Sequence, residues 1–176
     1  MNKIVIIGTT GSGKSTLAHQ LAKKLELTYI DLDDLHHLPR WKERSKEDFR
    51  RLLIEATRAE RWVVAGNYTS KSHDITLPQA DTFIWLDMPF WPNFWLLLKR
   101  TFRRAYTGEA ICNGNKETIG KQFFSKDSIL VWFFKTWRKN RVKNAVIFAN
   151  PAVYPHLTLI RLQTYQQSRN FLDKLY

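Results

Sequence analysis

Near the amino terminus, Lys3-Ile4-Val5-Ile6-Ile7 runs straight into Gly8-Thr9-Thr10-Gly11-Ser12-Gly13-Lys14-Ser15, and Leu17, Ala18, Leu21 and Leu25 then recur on one helical side. A β-branched run, a glycine-rich turn and an amphipathic helix in immediate succession leave few folds open. The turn matches G-x-x-x-x-G-K-[ST] at every specified position. Its chemistry needs that context, because glycines let main-chain N–H groups curl around phosphate oxygens at the positive end of a helix. Gly8, Thr9, Thr10, Gly11, Ser12, Gly13, Lys14, Ser15 and Thr16 are therefore expected to hold a nucleoside triphosphate such as ATP. Lys14 is placed to reach the β- and γ-phosphates, and the Ser15 hydroxyl to ligate Mg2+.

The rest of the chain repeats the alternation. Leu27–Leu32, Trp62–Ala65, Asp81–Asp87 and Leu157–Leu162 read as further strands. Ser45 followed by Asp48 is a capping-box variant ahead of Phe49, Leu52, Leu53 and Ala56 at helical spacing. Asn93–Tyr106 and Lys126–Lys143 read as two long helices around a polar loop, Thr107–Gly120, and Gln166–Leu175 as a closing helix. This pattern predicts an α/β fold with a mainly parallel sheet covered on both faces. With 176 residues, 44% of them hydrophobic, one domain spanning residues 1–176 is expected. The single cysteine, Cys112, excludes an internal disulfide and a cysteine-based zinc site. No apolar run approaches the roughly 20 residues that span a bilayer, and no signal-peptide pattern opens the chain, so a cytoplasmic location is expected.

Net charge is +12, and its distribution says more than its total. Residues 1–98 carry 13 basic and 12 acidic side chains, whereas residues 99–143 carry 12 basic and 3 acidic, an excess of +9. Whatever that segment meets is negative. Arg100 and Arg104 lie at i, i+4 before the loop, and Arg138 and Arg141 at i, i+3 after it, as on a mobile cover that stabilises charge on a transferred phosphoryl group. The second strand ends in Asp31-Leu32-Asp33-Asp34, where a parallel sheet places its ligands. Alternation puts Asp31 and Asp33 on one side, Asp31 holding Mg2+ through water and Asp33 receiving or orienting an acceptor hydroxyl. The competing reading has these carboxylates capping the turn or helix that follows. His36 and His37 are adjacent, so they cannot share a helix face as a metal pair, and at most they line the acceptor pocket.

Taken together, these residues resemble the nucleoside-monophosphate-kinase group of P-loop proteins, and more closely the adenylate-kinase-related DNA topology modulation proteins. The similar elements are Gly8–Ser15, Tyr29–Asp33, Trp62–Tyr68, Asp81–Asp87, Asn113-Gly114-Asn115 and Phe124–Leu130. The resemblance implies a P-loop NTPase fold, with a five-stranded parallel sheet of order 2-3-1-4-5, an acceptor-binding segment near 34–60 and a helical lid near 99–143. Asp31 and Asp33 also resemble the Asp-x-Asp of small-metabolite kinases such as shikimate kinase. Two departures stand out: Gly66-Asn67 replaces the Asp-Gly of adenylate kinases, and no triple glycine of the shikimate type is present. Asp87 is a further magnesium candidate, although a Leu-Asp-x-Pro strand end is commonly structural in this group. The implied activity is an ATP- and Mg2+-dependent phosphotransferase acting on a nucleoside monophosphate or another small hydroxyl or phosphate acceptor. The alternative is a nucleotide-regulated protein that binds DNA through the basic segment, with Phe102, Tyr106, Phe123, Trp132 and Trp137 as stacking surfaces. Their spacing suits helix packing better. An anionic membrane surface ranks third, on charge and the Trp/Phe-rich helices alone.

Overall fold

A computed structural model of the protein describes residues 1–116 and 128–175. Five strands form its sheet: β1 (Lys3–Gly8), β2 (Thr28–Asp31), β3 (Trp62–Ala65), β4 (Thr82–Leu86) and β5 (Thr158–Leu162). Their order is β2-β3-β1-β4-β5, and every pairing is parallel. The sheet is covered on both sides, which is why its central strands are continuous apolar runs. Ile4, Val5, Ile6 and Ile7 are each at most 2% exposed. Alternation sends Val5, Ile7, Val64, Phe83 and Trp85 to one layer, with Phe49 and Leu53 from the helix above. Ile4, Ile6, Val63, Ile84 and Leu86 go to the other, against Leu17, Ala18 and Leu21.

Seven α-helices are described: α1 (Lys14–Leu25), α2 (Leu32–His36), α3 (Lys46–Ala56), α4 (Thr69–Thr76), α5 (Phe90–Thr107), α6 (Ile129–Ala149) and α7 (Tyr165–Asp173). Ser45 caps α3 as its sequence predicts, accepting a 3.1 Å bond from the Asp48 amide. α5 and α6 are antiparallel neighbours joined by aromatic side chains, Phe90 against Trp137 and Phe94 against Phe133. Among the described residues no helix is long and apolar enough to cross a membrane.

Three expectations change. The second strand stops at Asp31, because the Asp31 carboxylate accepts from the Asp33 amide at 2.9 Å and so starts α2. Asp33 therefore sits on a helix, and strand alternation does not relate it to Asp31. Within the expected loop Thr107–Gly120, Ala110–Ile111 pairs antiparallel with Asn115–Lys116 to make a small hairpin. The second long helix runs on to Ala149, while its expected start at Lys126 lies outside the described residues, as do Gly120 and Phe123. The carboxyl ends of β1 to β4 nevertheless bring Gly8, Asp31, Gly66 and Asp87 to one edge of the sheet, where a doubly wound fold builds its site.

Candidate active site

The glycine loop leaves β1 at Gly8, whose φ of 154° and surroundings admit no side chain: a Cβ there would stand 2.7 Å from Ser12 Oγ and 2.8 Å from the Leu86 carbonyl. The loop closes with a 3.1 Å bond from the Ser12 amide to the Thr9 carbonyl, and α1 begins immediately after it. Lys14 Nζ donates to the carbonyls of Gly8 (2.8 Å) and Thr9 (3.0 Å), so the ammonium lies over the loop. Burial pulls its pKa down to about 8, with Asp33 opposing and Arg100 adding to the drop. Both charges thus lie close to the lysine. Asn67, at the end of β3, holds the start of the loop twice, accepting from the Gly8 amide (3.2 Å) and donating to the Gly8 carbonyl (2.6 Å). Ser12 Oγ is buried with no partner. An orphan hydroxyl beside a helix N-terminus and a lysine whose ammonium lies over the loop fits a bound phosphate chain.

Across the cleft, Tyr29 donates its hydroxyl to Asp31 Oδ2 at 2.6 Å, and Ser15 lies near enough to act electrostatically on the same phenol. Ser15 and Asp31 thus both neighbour the Tyr29 hydroxyl, and two oxygen donors on this side fit a hard cation such as Mg2+. Burial, and then the neighbouring Asp33 carboxylate, push the Asp31 carboxyl above its usual range. Asp31 also has the capping role that competed for it, through its other oxygen.

Tyr68 donates to Asp33 Oδ1 at 2.8 Å. Its ring is packed between His36 and Phe49, with centroids 4.7 and 5.4 Å away, so the core of α3 sets where the hydroxyl points. The small hairpin folds over residues 34–38: Asn113 donates to the carbonyls of Asp34 and His37, and Asn115 to that of Leu38. Cys112, at the hairpin tip, is pushed up to about 12 by burial and by Asp33, Asp34 and Asp31. Neither Tyr68 nor Cys112 is legible as a site residue in the sequence, since the hairpin joins its partners across 79 positions with no local signal. His36, which the sequence offered as a lining of the acceptor pocket, is buried with Nε2 3.4 Å from Glu43, and burial lowers its pKa.

The four arginines divide. Arg100 acts on Lys14, and Arg104 acts on Cys112, with Nε 3.6 Å from Glu109. Arg141 is instead held by the buried Asp87, Nε to Oδ1 at 2.9 Å, and Arg138 stands on the exposed side of α6. Asp87 also binds Arg161 at 2.6 Å, so it links α6 to the edge strand, in keeping with a structural strand end. Packing does not account for all the aromatics. Tyr106 is 79% exposed and Trp132 58%, whereas Trp137 lies edge-on to Phe90.

A glycine loop at the carboxyl edge of a 2-3-1-4-5 parallel sheet, closed over by α5 and facing carboxylates on the next element, defines a P-loop kinase of the nucleoside-monophosphate-kinase type. The shikimate kinase family model matches residues 10–104, from within the glycine loop to Arg104 of α5, and the chain belongs to that family. It is 29% identical to the protein YqaC of Bacillus subtilis (strain 168) over 128 residues, 72% of this chain and 71% of that one. A sugar kinase from Janibacter sp. HTCC2649, in an unliganded structure, superposes with a TM-score of 0.55 at 21% identity, covering 99% of this chain and 91% of that one. Shikimate kinase from Acinetobacter baumannii in complex with shikimate superposes with a TM-score of 0.53 at 16% identity, over 99% and 90% of the two chains.

Proposed function

We propose that this kinase transfers the γ-phosphoryl group of ATP to a hydroxyl of a small acceptor bound over residues 34–60, and that it works in the cytoplasm. The observation that carries the reading is the position of Asp33, which acts electrostatically on Lys14 while Tyr68 holds one of its oxygens. Asp33 takes the proton of the acceptor hydroxyl as its oxygen bonds to phosphorus. The bond from phosphorus to the bridging oxygen breaks, and its electron pair leaves with ADP. Lys14 quits the carbonyls of Gly8 and Thr9 for the β- and γ-phosphates. Ser15, and Asp31 through water, would hold Mg2+, which would supply charge neutralisation for the triphosphate. Arg100 and Arg104 meet the charge that develops on the transferred group. Arg138 and Arg141 join them only if residues 99–143 close as a lid, which requires Arg141 to leave Asp87.

Asp31, Asp33 and Asp34 disfavour an acceptor with its own negative charge on this side, so a neutral hydroxyl compound fits better than a nucleoside monophosphate. The name of one structural neighbour, sugar kinase, supports that preference, whereas shikimate, named for another, is a hydroxyl acceptor that carries a carboxylate. The test is a turnover screen with Mg·ATP against sugars, sugar acids, shikimate and nucleoside monophosphates. Lys14→Ala should abolish transfer to the acceptor found, and Asp33→Asn should lower kcat about 100-fold or more with little change in KM for ATP. Normal turnover in either variant would sink the assignment. DNA binding that responds to nucleotide, in a protein without turnover, would favour the alternative.

A further inference from the structure

Large apolar side chains stand in solvent on α5 and α6: Trp91 is 72% exposed, Trp95 56% and Phe134 54%. Trp91 meets Phe94 and Phe94 meets Phe134, so the rings of the two helices make one patch. Lys99 follows Trp91 and Trp95 at i, i+4 spacing, with Nζ 5.2 Å from the Trp95 ring centre. α5 and α6 carry no Asp or Glu, and of their nine Lys and Arg side chains Lys99, Lys135, Arg138, Lys139 and Lys143 are exposed and outside the ion pairs with Glu109 and Asp87. A contiguous apolar patch among like charges marks an interaction surface.

Charge chooses the occupant. A second copy docked face to face would set positive helices against positive helices with no carboxylate on either. A polynucleotide matches the charge, but its phosphates and bases give the exposed aliphatic side chains Leu96 and Val142 nothing apolar to enter. An anionic bilayer takes both, with rings and aliphatic groups at the acyl boundary and lysines and arginines at the lipid phosphates. We propose that the α5–α6 face docks this kinase reversibly on anionic membrane surfaces.

Co-sedimentation with vesicles tests the proposal, using phosphatidylcholine alone and an equal mixture of phosphatidylcholine and phosphatidylglycerol. The wild-type protein should pellet with the mixed vesicles only and be released by salt. The pairs Trp91→Ser with Trp95→Ser, and Lys99→Glu with Lys135→Glu, should each weaken pelleting about tenfold or more, with vesicle-free turnover unchanged. Pelleting with neither vesicle, or with both alike, overturns the proposal. Self-association or DNA binding that replaces vesicle binding and is lost in the same variants overturns it too.

An independent observation lies on the inner side of α5. Asn93 is fully buried, and neither atom of its amide has a partner. A Cβ on Gly11, whose φ is 78°, would stand 3.1 Å from Asn93 Oδ1 and 2.8 Å from Leu97 Cβ, so this amide lies directly against the phosphate loop. An unpaired buried amide destabilises the fold in which it is found. We infer that Asn93 is a positioning residue, bonding the loop main chain near Gly11 once phosphate fills the loop. This rests on the reading that the loop binds ATP.

Asn93→Leu keeps the branched shape and heavy-atom count of the side chain, with somewhat larger methyl groups, and removes the amide. Without ligand its melting temperature should equal or exceed that of the wild type, while the rise induced by saturating Mg·ATP should shrink. KM for ATP should increase about tenfold with kcat within about twofold, and Asn93→Ala should show the same rise in KM. Equal loss of stability with and without Mg·ATP, at unchanged KM, would make Asn93 merely structural and overturn the inference. A wild-type protein that gains no stability from Mg·ATP would overturn the proposed function as well.

Discussion

Replacing Asp87 by Asn separates the two roles open to the carboxylate at the end of β4. Asp87 is 4% exposed, and its Oδ2 accepts from Arg161 Nη2 at 2.6 Å and Nε at 3.1 Å, while Oδ1 lies 2.9 Å from Arg141 Nε. Breaking a buried ion pair from one side costs about 3–5 kcal/mol when the charge left behind stays buried. Here the two guanidinium groups are 43% and 42% exposed and can rehydrate, and Asn keeps one acceptor oxygen. The expected loss is therefore about 2–3 kcal/mol. In a chain of this length about 2–4 °C accompanies each kcal/mol, so the melting temperature should fall by about 4–12 °C. Calorimetry measures that fall, and a magnesium titration of turnover measures the competing role. The Mg2+ requirement should be unchanged, because both carboxylate oxygens already face guanidinium groups. An unaltered melting temperature together with a raised Mg2+ requirement would refute this reasoning and move Asp87 to the metal.

Tyr68→Phe removes the hydroxyl that holds Asp33 at 2.8 Å and should lower kcat about tenfold while leaving KM for ATP alone, as steady-state kinetics would show. Asn67→Asp keeps an acceptor for the Gly8 amide but loses the donor to the Gly8 carbonyl and adds a charge beside the phosphates. KM for ATP should rise about tenfold, and direct nucleotide titration checks it. His73 is buried edge-on to Phe83, and burial and Lys143 hold its pKa at about 4 against the partial opposition of Asp74. The unfolded chain binds this proton near pH 6.5, so the contribution is complete above that pH and is lost as pH falls towards 4, by up to about 3 kcal/mol. Urea midpoints across that range should show the slope, and His73→Leu should flatten it.

The glycine loop, the strand before it and the helix after it were legible because they are local. Residues adjacent in the chain carry both the conformational requirement and the chemistry, so Gly8 to Ser15 reads as a phosphate site without a partner in view. The order of the sheet followed from family resemblance, and the existence of its strands from buried apolar runs, which a doubly covered sheet demands. α4 went unseen, since Thr69-Ser70-Lys71-Ser72 shows no helical apolar period and is held by its surroundings. The Asp31 and Asp33 pair was found for a geometric reason that does not hold: a side-chain cap, rather than strand alternation, sets their relation. Tertiary structure alone decided who stands opposite Asp33. Tyr68 comes from beyond β3, and Cys112 from a hairpin pinned by Asn113 and Asn115, contacts that depend on chain segments returning from far away. It likewise separated arginines that look alike in sequence, because helical spacing says which side chains share a face but not what that face meets. Arg141 met the buried carboxylate of Asp87, and Arg100 came within electrostatic reach of Lys14.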